Sequence, residues 1–130
     1  MFAPKLDYNY NRATLSSMFY GCRSLNVGPI IENLTRIAYS SSQMMFSGCT
    51  SLQTVPLFDT SKVTKMTDMF NGCRSLPSVP LFDTSKVTDM DCMFQDCVAL
   101  TAVPQFDTSG VQSMSNMFNG CSSLTTVPQF

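Results

Sequence analysis

The chain has 130 residues, which is enough for one domain with its own hydrophobic core and too few for two ordinary domains. Hydrophobic residues make up 44% of the sequence and charged residues only 13%, so the composition excludes a disordered protein. Eight basic and nine acidic residues give a net charge of −1 without a basic block. We therefore expect neither nucleic acid nor an anionic lipid surface as a partner.

The first ten residues lack the basic segment, apolar run and small-residue cleavage site of a signal peptide. No apolar run of about 18 residues exists either, since even the uncharged stretch from Ile37 to Phe58 is rich in Ser, Thr and Gln. We expect no membrane insertion, and these residues leave the localisation open. Residues 1–14 match no repeat and are interpreted as an N-terminal cap, followed by a repeat region over residues 15–130.

A repeat of 24 residues fills the rest of the chain. Its recurring positions in one unit are Met69-Phe70, Gly72-Cys73, Leu76, Val79-Pro80, Phe82 and Asp83-Thr84-Ser85. An earlier, degenerate unit begins at Met18-Phe19 and is 27 residues long, counted from Cys22 to Cys49. We expect the three additional residues, which lie near residues 33–41, to bulge out as a loop.

Each unit contains two candidate secondary-structure elements. The segment from Leu52 to Phe58 indicates a short strand and then a corner, because Pro56 cannot donate to a sheet ladder. The apolar residues that follow have the spacing of one helix face, and they are Val63, Met66, Met69 and Phe70. Thr60 or Ser61 would cap this short helix, and Gly72 would end it. The alternative is a second strand from Val63 to Met66, with only a helical turn at Met69-Phe70.

One unit cannot bury its apolar side alone, so the units must stack. Stacking turns the recurring Leu, Val, Phe and Met positions into continuous internal columns. We therefore predict an α/β solenoid of short strands and short helices, with about five coils of 24 residues and a length on the order of 25 Å.

The unit Met69-Phe-Asn-Gly-Cys-Arg-Ser-Leu-Pro-Ser-Val-Pro-Leu-Phe-Asp-Thr-Ser-Lys-Val-Thr-Asp-Met90 resembles the BspA-type leucine-rich repeats. It is similar to the variety also called the DUF285 or mycoplasma-lipoprotein repeat, and the resemblance covers residues 15–130. It implies a leucine-rich-repeat-type solenoid. Members occur in surface proteins of host-associated bacteria, in protist proteins and in phage-encoded proteins. The resemblance implies adhesion or protein binding, with no catalytic residues to carry over.

The absence of histidine removes the usual general base and most zinc sites. We therefore expect a protein that is not an enzyme and that carries no cofactor and no metal. Five cysteines share one position of the repeat, which favours a small buried ladder over an array of disulfides; they are Cys22, Cys49, Cys73, Cys97 and Cys121. Cys92 lies outside that position, so we expect it to be exposed and the first to oxidise.

The Asp-Thr-Ser triplets place Asp59, Asp83 and Asp107 in one column. Such a triplet is typical of a turn in which side-chain oxygens accept backbone N–H bonds. A calcium site built from these carboxylates is the less favoured alternative. Most of the ten methionines fall on the apolar face of the repeat, which favours core packing over a metal-binding role.

Specificity is expected among the charged residues that vary between units, because the recurring positions are already assigned to the core. The candidate interface residues are Lys62, Lys65, Lys86 and Asp89 on the side, and Leu124, Val127 and Phe130 in the last coil. No charged residue follows Asp107, and the last coil lacks a polar cap, so we expect that end to be covered unless the sequence is truncated there.

These observations predict a non-catalytic protein-binding or adhesion module whose partner is a host surface protein. The alternative is a structural subunit of a phage particle or other assembly, which would dock on neighbouring subunits or form a homo-oligomer through its last coil. The bacterial cell surface, the extracellular medium and the virion are the expected locations.

Overall fold

The computed structural model describes residues 5–7, 15–32 and 41–130. Its two strands, β1 (Lys5–Asp7) and β2 (Ile30–Glu32), pair in parallel. Of the predicted cap, residues 1–4 and 8–14 lie outside the described residues, as do residues 33–40 of the predicted loop. Within the described ranges, no helix is long and apolar enough to span a membrane.

Outside these two strands, single parallel bridges join consecutive coils of the chain. They connect Val27 with Thr54, Ser41 with Lys65, Lys65 with Asp89, and Asp89 with Ser113. The last three follow the 24-residue period, so equivalent residues lie beside each other in consecutive units. The predicted stacking of the repeats is therefore observed.

A continuous column of aromatic rings forms the centre of the stack. Neighbouring ring centroids are 5.4 to 5.9 Å apart along the series Phe19, Phe46, Phe70, Phe94 and Phe118. Phe70 and Phe94 are fully buried, and removing such a ring from water contributes about 1.5–3 kcal/mol. The predicted phenylalanine column is thus confirmed.

The predicted cysteine ladder runs beside the rings, and all six cysteines are free. The Sγ of Cys73 donates to the carbonyl of Phe46 over 3.1 Å, and that of Cys97 donates to the carbonyl of Phe70 over the same distance. A small side chain with one weak donor suits this position, because the neighbouring coil offers a carbonyl there.

The methionines fill the same core. Met66, Met69, Met90 and Met93 are fully buried, as predicted. Met114 differs, because it is 38% exposed in the last of the described coils.

The prediction of a short helix over Val63 to Phe70 is wrong, because the described residues contain no helix. A series of turns replaces it, in which the N–H of Met69 donates to the carbonyl of Met66, three residues earlier. Asp68 and Gly72 have φ angles of 55° and 76°, in the left-handed region that interrupts a helix. The alternative was closer, since Lys65 makes strand-like bridges to both neighbouring units.

Alternation of the backbone donors explains why turns replace the helix. The N–H groups of Asp68, Phe70 and Gly72 donate to carbonyls of the next coil over 2.8 to 2.9 Å. The N–H groups of Met69 and Asn71, which lie between them, donate within their own coil. This arrangement satisfies the buried backbone of both coils, whereas a helix would use these N–H groups within its own segment and leave none of them for the next coil.

The predicted strand from Leu52 to Phe58 is also absent; this segment contributes one bridge, at Thr54. Pro56 has no N–H to donate, and the same proline recurs in each unit, so a continuous ladder cannot form there. The segment still buries Leu52, Val55 and Phe58 in the core, as the repeat pattern predicts.

Candidate functional site

The side of the solenoid carries the residues that vary between units. The bridges place Lys65 directly beside Asp89, with Ser41 and Ser113 continuing the same row. Lys65 is exposed and Asp89 is half-buried. The Oδ1 of Asp89 accepts the N–H of Asp91 over 2.9 Å, so its carboxylate also shapes the turn that follows. Two of the predicted interface residues, Lys65 and Asp89, are therefore neighbours.

The Asp-Thr-Ser triplets form a corner that precedes this row along the chain in each unit. The Oδ1 of Asp83 accepts both the N–H and the hydroxyl of Ser85, over 3.0 and 2.6 Å. Thr60 is buried, and its hydroxyl donates to the carbonyl of Asp83 in the next coil over 2.8 Å. The predicted turn role of the triplet is confirmed, although it starts no helix.

The carboxylates of this corner are held in the ionised form. The hydroxyl of Ser61, and then its N–H, lower the pKa of Asp59, and Ser85 lowers that of Asp83 in the same way. Lys62 has a smaller effect on Asp59. Lys62 and Lys86 follow the triplets and are exposed. The corner therefore presents alternating negative and positive charges.

A shallow groove of about 440 Å³ lies against the corner. Its lining residues are Leu57, Phe58, Asp59, Thr60, Leu81 and Asp83. Leu57 is 65% exposed and Leu81 is 59% exposed, so neither leucine belongs to the buried core. The groove thus combines two exposed leucines with two carboxylates.

Sequence reasoning missed these two leucines as candidate site residues. Leu57 and Leu81 occupy the same position of the repeat as Gln105 and Gln129. An apolar residue that alternates with glutamine at one position is typical of the surface, and this comparison within the chain is the signal that could have found them.

The remaining predicted interface residues lie in the last coil. Val127 is 47% exposed, Phe130 is 37% exposed, and Leu124 is half-buried. The ring of Phe130 stacks on that of Phe118 with centroids 6.4 Å apart. The structure therefore places these three at the end of the stack, away from the row of Lys65 and Asp89.

Backbone donors are also unused at that end. In the inner coils, the N–H groups equivalent to those of Asn116, Phe118 and Gly120 donate to the next coil. Among the described residues these three have no acceptor. The end of the stack therefore has the hydrogen-bonding pattern that a further coil would meet.

The cysteines offer little reactive chemistry. Burial raises the pKa of the Cys49 thiol to about 11 and that of Cys97 to about 12. Cys92 was predicted to be exposed, but it is half-buried. Desolvation, and then the charges of Asp68 and Asp91, raise the pKa of its thiol. Among residues 15–32 and 41–130, no group of three or more Cys, Asp or Glu side chains is arranged to hold a metal ion.

Two solved structures are similar to this chain. A leucine-rich repeat protein of Treponema pallidum superposes with a TM-score of 0.59 at 21% identity, over 86% of this chain and 49% of that protein. A leucine-rich repeat protein from Bacteroides ovatus gives a TM-score of 0.50 at 18% identity, over 97% of this chain and 38% of that one. This chain spans half or less of either protein. The likeness shows a leucine-rich-repeat-type solenoid.

Sequence comparison gives the family. No curated protein matches the chain. The profile of a family described as "Mycoplasma protein of unknown function, DUF285" matches residues 40–127. This match covers more than half of the sequence and includes the units with the buried Phe, Cys and Met columns. The chain belongs to the DUF285 family, and its fold is a leucine-rich-repeat-type solenoid.

Proposed function

We propose that this chain is a non-catalytic module of about five coils that binds a protein partner through the side of the solenoid. One observation carries the proposal: the recurring apolar residues of the inner coils are buried, whereas the charged residues that vary between units reach solvent. Phe70, Cys73 and Leu76 are fully buried, and Lys62 and Lys65 reach solvent. The recurring apolar pattern is therefore explained by the core, which leaves the variable side for recognition.

The chemistry of that side supports a protein partner. Lys65 and Asp89 lie in one row, and Asp59 with Lys62 lies at the adjacent corner. A mixed row of charges with little net charge suits a complementary protein surface better than a polyanion. Adhesion to a host surface protein is the use that we propose, on a bacterial surface or in the extracellular medium.

The test is binding of the purified chain to a panel of purified extracellular-matrix and cell-surface proteins by biolayer interferometry. The variant Lys62→Glu/Lys65→Glu/Lys86→Glu should weaken binding to a recognised protein by about tenfold or more. The matched control Arg74→Glu reverses another exposed charge, in the turn after Gly72, and should bind like the parent chain. Equal binding by the triple variant and the parent would refute the use of this side.

A second function is favoured by a different observation, the unused donors of Phe118 and Gly120 together with the exposed Val127. We propose as the alternative a structural subunit of a phage particle or similar assembly, docked through the last coil. A further coil of a longer chain would use the same donors. Light scattering of the parent and of Leu124→Lys/Val127→Lys tests it. A defined oligomer that the variant dissociates supports assembly, and a monomer in both cases refutes it.

A further inference from the structure

The groove beside the Asp-Thr-Ser corner has a surface that the fold does not require. Its apolar walls are Leu57 and Leu81, with more than half of each side chain open to solvent. Its floor includes the buried ring of Phe58, whose centroid lies 5.3 Å from that of Phe82, and the buried Thr60. The floor is held by the core, and the walls project from it.

The next coil shows that these leucines are not structural. Gln105 occupies their position, between Pro104 and a buried Phe106, in the same backbone arrangement. The N–H of Phe106 donates to the carbonyl of Pro104 over 3.0 Å, as that of Phe82 does to the carbonyl of Pro80. A polar residue is therefore compatible with the fold at this position, where the Nε2 of Gln105 donates to the carbonyl of Gln129 over 3.1 Å. Leu57 and Leu81 instead expose apolar surface to water.

The charges of the groove indicate what accompanies an apolar ligand group. Asp59 and Asp83 line it, and no basic residue does. Lys62 and Lys86 follow the corner but lie outside the lining. A partner that packs an apolar side chain against the two leucines therefore meets two carboxylates, which complement a lysine or an arginine.

The size of the patch selects a short segment over a second copy of this chain. A stable dimer buries about 800 Å² per partner, which two leucines and their neighbours do not offer. The groove of about 440 Å³ is open along much of its surface and is lined by only six residues, which is the scale of a few side chains. An extended segment presents alternate side chains at this scale.

We propose that the groove lined by Leu57 and Leu81 binds an extended protein segment that carries a large apolar side chain next to a lysine or an arginine. This inference rests on the protein-binding function proposed above and assigns it a site. The apolar side chain packs against the two leucines, and the cation lies against Asp59 and Asp83.

The experiment uses the whole chain, labelled with ¹⁵N, and three synthetic seven-residue peptides with blocked ends. The first alternates leucine with arginine, the second has glutamate in place of each arginine, and the third has serine in place of each leucine. With the first peptide, saturable shifts of the amides of Leu57, Asp59, Leu81 and Asp83 are expected. Both altered peptides should bind at least about tenfold more weakly.

The variant Leu57→Gln/Leu81→Gln removes both leucines and should fold like the parent, because glutamine already occupies this position in the next coil. It should retain the dispersed spectrum of the parent, and its affinity for the first peptide should be lower by about tenfold or more. Gln105→Leu adds a third exposed leucine to the column, so the amide shifts that the first peptide causes should extend to the coil of residue 105. Equal binding of the arginine and glutamate peptides, shifts elsewhere on the chain, or unchanged binding by the double variant would overturn the proposal.

The outcome is separable from that of the proposed function. If the triple lysine variant loses a protein partner while the peptide leaves the groove unshifted, the groove assignment fails and the protein-binding function stands. If the peptide binds the groove and no panel protein binds the chain, the groove assignment stands and the proposed adhesion fails.

Discussion

Replacing Phe70 by alanine should destabilise the protein more than the equivalent replacement at the end of the stack. Phe70 is fully buried, and its ring centroid lies 5.6 Å from those of Phe46 and Phe94 and 6.0 Å from that of Phe82. Loss of a buried phenylalanine costs about 3–5 kcal/mol, and three ring neighbours place this site at about 4–5 kcal/mol.

Phe118 is the matched comparison, because it occupies the same position with less packing. It is half-buried, and its ring contacts are with Phe94 at 5.9 Å and Phe130 at 6.4 Å. Phe118→Ala should cost about 2 kcal/mol, since only part of its surface is removed from water.

The assay is urea unfolding of both variants, followed by far-UV circular dichroism and evaluated as the free energy of unfolding. Phe70→Leu serves as a control and should cost about 1.5 kcal/mol, because it keeps most of the apolar volume. A similar loss of stability at Phe70 and Phe118 would refute the reasoning, because it would mean that position along the stack does not govern burial.

Three further predictions concern single positions. Asp96 occupies the position of Gly72 in the next unit and has a φ angle of 58°, in the left-handed region that favours glycine. In urea unfolding, Asp96→Gly should raise the free energy of unfolding by about 0.5–1 kcal/mol, and Gly72→Ala should lower it by about 1–2 kcal/mol. Desolvation, and then the charge of Asp68, raise the pKa of the Cys92 thiol. Asp68→Asn removes only the second cause and should speed iodoacetamide alkylation of Cys92 at about pH 8 by less than about tenfold; an unchanged rate would contradict the contribution of Asp68. The hydroxyl and N–H of Ser85 lower the pKa of Asp83 from 3.8, so the stability that the ionised Asp83 contributes is present above pH 3.8 and is lost as the pH falls through the pKa of the folded state. Asp83→Asn should therefore reduce the drop in the urea midpoint between about pH 7 and pH 3, and an undiminished drop would contradict this contribution of Asp83.

The core could be predicted from the sequence because the repeat fixes it. Residues that recur at one position in every unit form a column, and an apolar column is stable only in the interior of the stack. The burial of Phe70, Cys73, Leu76 and Met93 follows from the 24-residue period together with their apolar side chains. The turn role of Asp83 was equally readable, because its carboxylate serves backbone groups two residues away.

The helix could not be excluded from the sequence, because apolar residues at intervals of three suit a helix face and a series of tight turns alike. The distinction lies in the backbone at Asp68 and Cys92, whose left-handed φ angles both measure 55°. An aspartate tolerates that conformation, but a cysteine gives no such indication. The bonds between coils impose it, and they involve residues 23 positions apart, such as Phe70 and Met93.

The candidate site was only partly readable. The charged side positions Lys62, Lys65 and Lys86 were predicted to face outward, and they are exposed. Leu57 was overlooked, because a leucine inside an apolar segment is ordinarily assigned to the core. Only the comparison with Gln105, which occupies the same position of the repeat, distinguishes the position of Leu57 from the buried positions around it.

The most direct test of stacked coils joined by backbone bonds is amide hydrogen exchange in the monomeric protein, compared at equivalent positions. The N–H groups of Asp68, Phe70 and Gly72 donate to the next coil and should exchange at least about a thousandfold more slowly than in an unfolded chain. Those of Phe118 and Gly120 have no acceptor among the described residues and should exchange within about tenfold of the unfolded rate. Equal protection of Phe70 and Phe118, or rapid exchange at Phe70, would contradict the account.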